Sequence, residues 1–249
     1  MRGQHGDVVH ILREGYGPES AGIGAWVLRR PDGTFGTITD SYLFRTWEPE
    51  VDPNATVTVG DDGEARWLRA EWMQTYTGGR FYPTNPSPDD VNLVDIAHAL
   101  SMSCRYNGHV DRFYSVAEHC VLLSYAASPE NALWALLHDA AEAYIGDMVR
   151  PLKVQMPQFR ALDDLVTGAI MTRFGLPTTM PDEIRDLDTR ILLDEKTELL
   201  GSSGEWSTTR GLQPLGVPIH GWEPEVAEPL YRERFEELFA IHSRNGASS

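Results

Sequence analysis

Cysteine and long apolar runs are scarce in this sequence of 249 residues. Its two cysteines, Cys104 and Cys120, are too few for a disulfide framework, and they form no Cys-x-x-Cys pair of the kind that binds zinc. No apolar run approaches the roughly 18 residues that cross a bilayer, and residues 1–6 lack the apolar stretch of a secretory signal. We therefore expect a cytoplasmic protein of a reducing compartment, with no membrane partner.

Positive charge is also in short supply. The 21 lysine and arginine residues stand against 37 acidic residues and give a formal net charge of −16. This balance repels the phosphate backbone of DNA and RNA, so we expect no polymeric nucleic acid among the partners. A small phosphorylated ligand is compatible with it, since a metal ion and a few basic side chains can reverse the field locally.

Residues 1–75 have the pattern of a small β-rich module. Apolar stretches are separated by turn signals, the clearest of which are Pro-Asp-Gly at residues 31–33 and Gly-Asp-Asp-Gly at residues 60–63. The candidate strands are residues 8–12, 25–30, 34–39, 55–59 and 65–69. No cluster of reactive side chains stands out in this module, and we assign it no role.

Beyond a Gly- and Pro-rich passage at residues 77–88, the apolar period changes from two to about 3.6. Ser115 and Glu118 form a capping box, and Ser128-Pro129 places a cap before a first-turn proline. The predicted helices are about residues 94–100, one from residue 115 onward, 128–146, 157–174, 181–200 and 224–244, before a disordered tail at 245–249. The fold class is therefore α+β, with a mainly α-helical domain at residues 76–249 after the β-rich module.

Three ionisable residues crowd one face of the predicted helix 128–146. Glu142 follows His138 and Asp139 by one turn, among alanine, leucine and isoleucine neighbours. Unpaired charge in apolar surroundings is costly, and a divalent cation would remove the conflict. An imidazole nitrogen with a carboxylate oxygen suits Mn, Co, Fe, Ni, Zn or Mg. The alternative is an exposed His-Asp pair with a solvated glutamate.

Two further candidate ligands lie on other helices. His119 is near the start of the helix that follows Ser115, and it can converge with His138 if the two helices are neighbours. Asp188 is surrounded on its helix by apolar turn neighbours such as Ile184 and Ile191, so it should point inward. The alternative for Asp188 is a bond to an arginine or to backbone groups.

These residues together resemble a known family. The ordered set Ser115-x-x-Glu118-His119, His138-Asp139-x-x-Glu142, Gly146-Asp147 and a late helical Asp188 is similar to that of the HD-domain metal-dependent phosphohydrolases. Within that superfamily, the likeness is greatest to bacterial 5'-deoxynucleotidases and to phage deoxynucleoside triphosphate triphosphohydrolases, including those that act on dATP. It covers about residues 73–245.

The resemblance implies a role for each matching residue. Glu142 would be the acid/base residue beside the attacking water, and Asp147 would orient that water. Tyr106 stands where the bacterial nucleotidases have tryptophan, and His109 lies in the loop that could line the pocket. The implied metal ligands are His119, His138, Asp139 and Asp188, and the implied phosphate contacts are Arg105 and Lys153.

One divalent metal ion is favoured, because no histidine lies between Asp139 and Asp188 to bind a second. The implied activity is hydrolysis of a (deoxy)nucleotide by water attack at the α-phosphorus, which releases a nucleoside with phosphate or triphosphate. The implied partners are a small-molecule nucleotide and, as in related proteins, a second copy of the chain. The alternatives are an HD phosphodiesterase, an alarmone hydrolase, or a metal-bound interaction protein without catalytic activity.

Overall fold

The structure is a computed structural model that describes residues 71–201 and 204–246, together with the backbone of five strands earlier in the chain. The chain divides into two compact units, Met1–Glu71 and Trp72–Ser249. The sequence pattern had suggested residue 75 as the limit of the first unit.

Two antiparallel sheets lie in the N-terminal unit. The strands are β1 (Val9–His10), β2 (Ala25–Arg29) and β3 (Phe35–Thr39) in the first sheet, and β4 (Ala55–Val59) and β5 (Ala65–Arg69) in the second. Ala25 pairs with Thr39 across β2 and β3, and Val59 pairs with Ala65 across β4 and β5. Strands β2 to β5 lie within four of the predicted strands, and β1 lies within the fifth, at residues 8–12, of which residues 8, 11 and 12 are outside the described residues.

The C-terminal unit is mostly helical, as expected, and has one two-stranded sheet among its described residues. In that sheet β6 (Met73–Gln74) pairs with β7 (Arg80–Phe81). The helices are α1 (Leu93–Met102), α2 (Val116–Ala126), α3 (Ala132–Leu137), α4 (Glu142–Ile145), α5 (Arg150–Lys153), α6 (Pro157–Arg173), α7 (Asp182–Leu199) and α8 (Pro224–Gly246). None of the helices in the described part of the chain has the length and apolar character needed to span a bilayer.

Local signals set several helix ends. The Ser115 hydroxyl accepts from the Glu118 N–H at 3.0 Å and caps α2 as predicted. Pro157 stands in the first turn of α6, and Gly175 follows that helix with a positive φ of 70°, a conformation that glycine adopts without strain. The last helix runs to Gly246, into the stretch that we predicted to be disordered; residues 247–249 lie outside the described residues.

The predicted cap at Ser128 is wrong. Helix α3 begins four residues later, at Ala132. The Ser128 N–H and hydroxyl instead donate to the Glu183 carboxylate of α7, at 2.9 and 2.6 Å. These hydrogen bonds to a charged acceptor on α7 hold Ser128 ahead of α3, so a contact between helices prevails over the local signal.

Helix α2 lies at the centre of the unit, where it packs against α1, α3, α7 and α8. Leu123 on α2, Leu136 on α3 and Tyr231 on α8 are fully buried. The Tyr231 hydroxyl donates to the Leu136 carbonyl at 2.9 Å, which satisfies its polar atom inside the core. Any polar side chain on the inner face of α2 therefore has to find a partner inside the protein.

Glu118 is such a side chain. It is fully buried, and its carboxylate accepts the backbone N–H groups of His220, Gly221 and Trp222 at 2.7, 3.0 and 2.5 Å. Its side chain thus fixes the segment that leads into α8. The sequence predicted Glu118 as half of a capping box, and the structure gives it a longer-range role.

We expect Glu118→Gln to lower the free energy of unfolding by about 2–3 kcal/mol, because an amide brings its own N–H groups against three backbone donors. Urea denaturation followed by far-UV circular dichroism measures the change. Exposed Glu130 is the matched control, and Glu130→Gln should change the value by less than about 0.5 kcal/mol. Equal stability of the two variants would contradict the role assigned to Glu118.

Candidate metal centre

Four side chains from three segments meet beside α2. The His119 Nε2 atom lies 3.2 Å from His138 Nε2, 3.4 Å from Asp188 Oδ1 and 3.7 Å from Asp139 Oδ2. The His138 Nε2 atom lies 3.2 Å from Asp139 Oδ2 and 3.8 Å from Asp188 Oδ1. Adjacent ligands of a cation with bonds of about 2.1 Å are separated by about 3.0–3.4 Å. Among the described residues, His119, His138 and Asp188 could therefore hold one metal ion, with Asp139 Oδ2 within 3.7 Å of both imidazoles.

His138 and Asp139 lie on a short stretch of backbone that is wound more tightly than an α-helix. The predicted continuous helix is interrupted between α3 and α4, where the N–H groups of Ala140 and Glu142 bond to carbonyls three residues back, at 3.0 Å each. Three residues per turn place Asp139 and Glu142 directly in line. The one-turn spacing predicted for the Asp139 and Glu142 carboxyl groups is therefore kept, although the α-helix is interrupted between them.

Both imidazoles are held by the nitrogen that points away from the cluster. His119 Nδ1 lies 2.6 Å from Glu195 Oε1, and His138 Nδ1 lies 2.8 Å from the Ala135 carbonyl oxygen. Because each of these oxygens accepts, each Nδ1 carries the hydrogen, and both Nε2 lone pairs are available to a cation.

A second possible group combines His138 with Cys120 and Asp139, and the Cys120 Sγ atom lies 3.9 Å from His138 Nδ1. That nitrogen already donates to Ala135. Burial also raises the pKa of the Cys120 thiol, and a metal requires the thiolate. The set that contains His119 is therefore the better candidate.

The charges of the cluster are strongly coupled. Burial alone would lower the pKa of His138, but the Asp139 carboxylate raises it well above its usual value. Burial opposes ionisation of Asp139 and Asp188, yet the two imidazoles hold the pKa of both carboxyl groups below the usual range. The carboxylates thus keep their charge and need a positive partner, either protons on the imidazoles or a divalent cation in their place.

Glu142 and Asp147 lie beside the cluster with the opposite tendency. Burial raises the pKa of Glu142 well above its usual value, and the carboxylates of Asp139 and Asp147 raise it further. Burial also raises the pKa of Asp147. The Glu142 Oε2 atom is buried and has no hydrogen-bond partner among the described residues. A protonated carboxyl in this position can deliver a proton, and the carboxylate that remains can accept one.

Glu195 is a site residue that the sequence reasoning missed. It is fully buried and accepts from Tyr114 Oη at 2.9 Å, from the Tyr106 hydroxyl and from Arg105 Nη2 at 3.4 Å, in addition to His119. Burial would raise the pKa of Glu195, but the Arg105 and His119 charges outweigh it and lower that pKa to about 2. The signal that could have found it is its spacing of two helical turns from Asp188 on α7.

The predicted substrate contacts divide into two groups. Arg105 is buried with Nη1 3.4 Å from Asp139 Oδ2, and half-buried Tyr106 reaches the cluster through Glu195. His109, by contrast, is exposed. Lys153 pairs with Asp163 of α6 at 2.9 Å, and it also lowers the pKa of Glu142 and of Asp147 against the effect of burial, so its charge reaches the cluster.

Arg150 was not among the predicted site residues. Its Nη2 atom lies 3.0 Å from Asp188 Oδ2, the carboxylate oxygen that faces away from His119 and His138. The side chain of Arg150 is 42% exposed, so it has N–H groups in reach of a ligand from solvent.

Sequence comparison gives two similar proteins and no matching protein-family model. The chain is 34% identical to the uncharacterized protein YfdR of Escherichia coli (strain K12) over 172 residues, which is 67% of this chain and 95% of YfdR. It is 38% identical to the uncharacterized protein RCAP_rcc00048 of Rhodobacter capsulatus over 128 residues, 47% of this chain and 65% of that protein. With nearly the whole of YfdR covered at this level of identity, the chain belongs to the YfdR family.

Proposed function

We propose that the C-terminal unit is an HD-type phosphohydrolase that binds one divalent cation and hydrolyses (deoxy)nucleotides at the α-phosphorus. The observation that carries the proposal is that His119 Nε2 and His138 Nε2 lie 3.2 Å apart and that each lies 3.2–3.8 Å from both Asp139 Oδ2 and Asp188 Oδ1. A cation bound by these atoms would supply Lewis acidity, by neutralising phosphate charge and by acidifying water.

Two buried polar atoms without hydrogen-bond partners among the described residues support the proposal that a ligand completes the site. Glu142 Oε2 and Arg105 Nε are buried and lack partners among the described residues. Buried polar atoms without partners are rare in folded proteins and need an explanation such as a bound water, ion or substrate. Both belong to residues that lie beside the four-atom cluster.

The local charge also favours an anionic ligand. The carboxylates of Asp139, Asp188 and Glu195 face the guanidinium groups of Arg105 and Arg150. With a divalent cation bound, positive charge exceeds negative charge in this set, although the whole chain carries −16. Phosphate oxygens would be attracted to the cation and to the exposed N–H groups of Arg150.

The chain's own carboxyl groups can manage the protons of the reaction. Water attacks the α-phosphorus, a new P–O bond forms, and the bond from phosphorus to the 5' oxygen breaks. Glu142, whose pKa is raised by burial, would donate to that oxygen as the nucleoside leaves, and Asp147 would accept from the attacking water and orient it. The water's proton then restores Glu142.

Glu142→Gln should reduce turnover by about 10²- to 10⁴-fold, because the amide cannot donate and recover the proton. Release of phosphate and triphosphate from the four dNMPs and four dNTPs, with Mn²⁺ or Co²⁺, measures it. Exposed Glu233 provides the control, since Glu233→Gln should leave turnover unchanged. A fully active Glu142→Gln enzyme would disprove the acid/base role.

The same assay separates the alternatives. If the protein left deoxynucleotides intact but cleaved a cyclic or pyrophosphorylated nucleotide, the proposal would be wrong and the protein would be a phosphodiesterase or an alarmone hydrolase. If the protein bound a metal but hydrolysed neither deoxynucleotides nor cyclic or pyrophosphorylated nucleotides, a metal-bound interaction protein without catalytic activity would be favoured.

Asp188→Asn should weaken Co²⁺ binding by at least about 100-fold, because a neutral amide replaces a charged ligand. Asp186 is a matched control on the same helix, where it pairs with Arg190 at 3.2 Å on the exposed side. Isothermal titration should give Asp186→Asn an affinity close to that of the parent protein, and chelation should lower the melting temperature of both that variant and the parent. Equal affinities of the Asp188→Asn and Asp186→Asn variants would remove Asp188 from the ligand set.

A further inference from the structure

We infer that Glu195 is a positioning residue that links the metal centre to the turn Arg105–Gly108, so that a bound cation and an ordered turn stabilise each other. The nucleotide part of this inference rests on the proposed function, whereas the link itself does not. It stands on the contacts of one buried carboxylate.

The two oxygens of Glu195 face different parts of the site. Its Oε1 atom accepts from His119 Nδ1 at 2.6 Å and from the Tyr114 hydroxyl at 2.9 Å. Its Oε2 atom accepts from the Tyr106 hydroxyl and from Arg105 Nη2 at 3.4 Å. A displacement of the carboxylate on one side therefore changes the contacts on the other.

The turn needs this support because its backbone is strained. Tyr106 and Asn107 have positive φ angles of 57° and 52°, in a region that bulky side chains rarely occupy. Neighbouring backbone bonds hold its edges, from the Arg105 N–H to the Tyr114 carbonyl at 2.9 Å and from the His109 N–H to the Tyr106 carbonyl at 3.0 Å. Between those edges, the Tyr106 hydroxyl is anchored on Glu195.

Arg105 provides a second route from the turn to the metal centre. Its guanidinium is shared between Glu195 and Asp139, each at 3.4 Å. Without the negative charge of Glu195, this buried cation would depend on Asp139 alone and would draw that carboxylate away from the imidazoles. Loss of Glu195 thus affects both the orientation of His119 and the availability of Asp139.

Linkage requires that the effect run in both directions. A cation that fixes His119 also fixes Glu195, and Glu195 then holds Tyr106 and Arg105 in place. We therefore expect Co²⁺ to slow amide hydrogen exchange in the peptide that contains residues 105–108 by roughly fivefold or more in the parent protein.

Glu195→Gln is the direct test. The variant should bind Co²⁺ about 10- to 100-fold more weakly in isothermal titration. It should also lose the Co²⁺-dependent protection of residues 105–108 at saturating Co²⁺. Unchanged affinity, or full protection in the variant, would overturn the inference.

Two further variants separate the link from simple loss of structure. Tyr106→Phe removes a hydrogen bond to Glu195 Oε2 and leaves the contacts of His119 unchanged. It should therefore reduce the Co²⁺-dependent protection of residues 105–108 more than the Co²⁺ affinity. It also keeps the inference testable if Glu195→Gln does not fold.

Glu118→Gln changes a different buried glutamate, whose partners are His220, Gly221 and Trp222. Glu118→Gln should keep both the Co²⁺ affinity and the Co²⁺-dependent protection of residues 105–108. If Glu118→Gln lost both, the effect of Glu195→Gln would be a general loss of stability and the link would be disproved.

The test of this link can be distinguished from the test of the proposed function. If no nucleotide is hydrolysed but Co²⁺ protects the turn through Glu195, the enzyme proposal fails and the link stands. If nucleotides are hydrolysed, the KM of Glu195→Gln at saturating metal should rise several-fold with a smaller change in kcat, because the turn carries the proposed substrate contacts. A variant whose only defect is metal affinity would contradict the link.

Discussion

Every charged side chain at the centre of the helical unit has to be compensated inside the protein, because burial removes it from water. Helix α2 brings two adjacent ones, Glu118 and His119, into the middle of the core. Glu118 is compensated by backbone N–H groups of the segment before α8, and His119 by Glu195 of α7. The positions of α7 and α8 around α2 thus depend on polar partners as much as on apolar packing.

The sequence was sufficient where a helix is regular and its faces are well separated. Asp188 was predicted to point inward from its apolar turn neighbours, and its Oδ1 atom lies 3.4 Å from His119 Nε2. The same reasoning could have reached Glu195, whose turn neighbours Ile191, Leu192 and Leu199 are also apolar, but Asp194 and Lys196 beside it in the sequence make the segment look solvated. Its burial is a property of the tertiary structure, created by Tyr106, Tyr114 and Arg105 from another part of the chain.

Backbone detail was harder to predict than side-chain facing. The cap at Ser128 failed because Glu183, 55 residues further along, offers a charged acceptor that local rules do not include. The interruption between α3 and α4 falls on residues 138–141, His-Asp-Ala-Ala, which contain no glycine or proline to predict it. Hydrogen bonds to the third preceding carbonyl satisfy the N–H groups of Ala140 and Glu142 in this stretch, and in this geometry His138 Nε2 lies 3.2 Å from His119 Nε2.

The overall negative charge of the chain says little about what the site attracts. At physiological ionic strength, exposed charges are screened beyond about 8 Å, so a ligand at the cluster responds mainly to its nearest groups. Glu195 is balanced by Arg105, and burial favours the neutral form of Glu142. Asp139 and Asp188 remain, and their charge is balanced by imidazole protons or by a cation, but not by both. Two protons and one divalent cation carry the same charge, yet only a cation would use the imidazole lone pairs and offer open coordination positions to a phosphate oxygen. Under the proposed function, cation binding and anion affinity would therefore be a single property of this cluster.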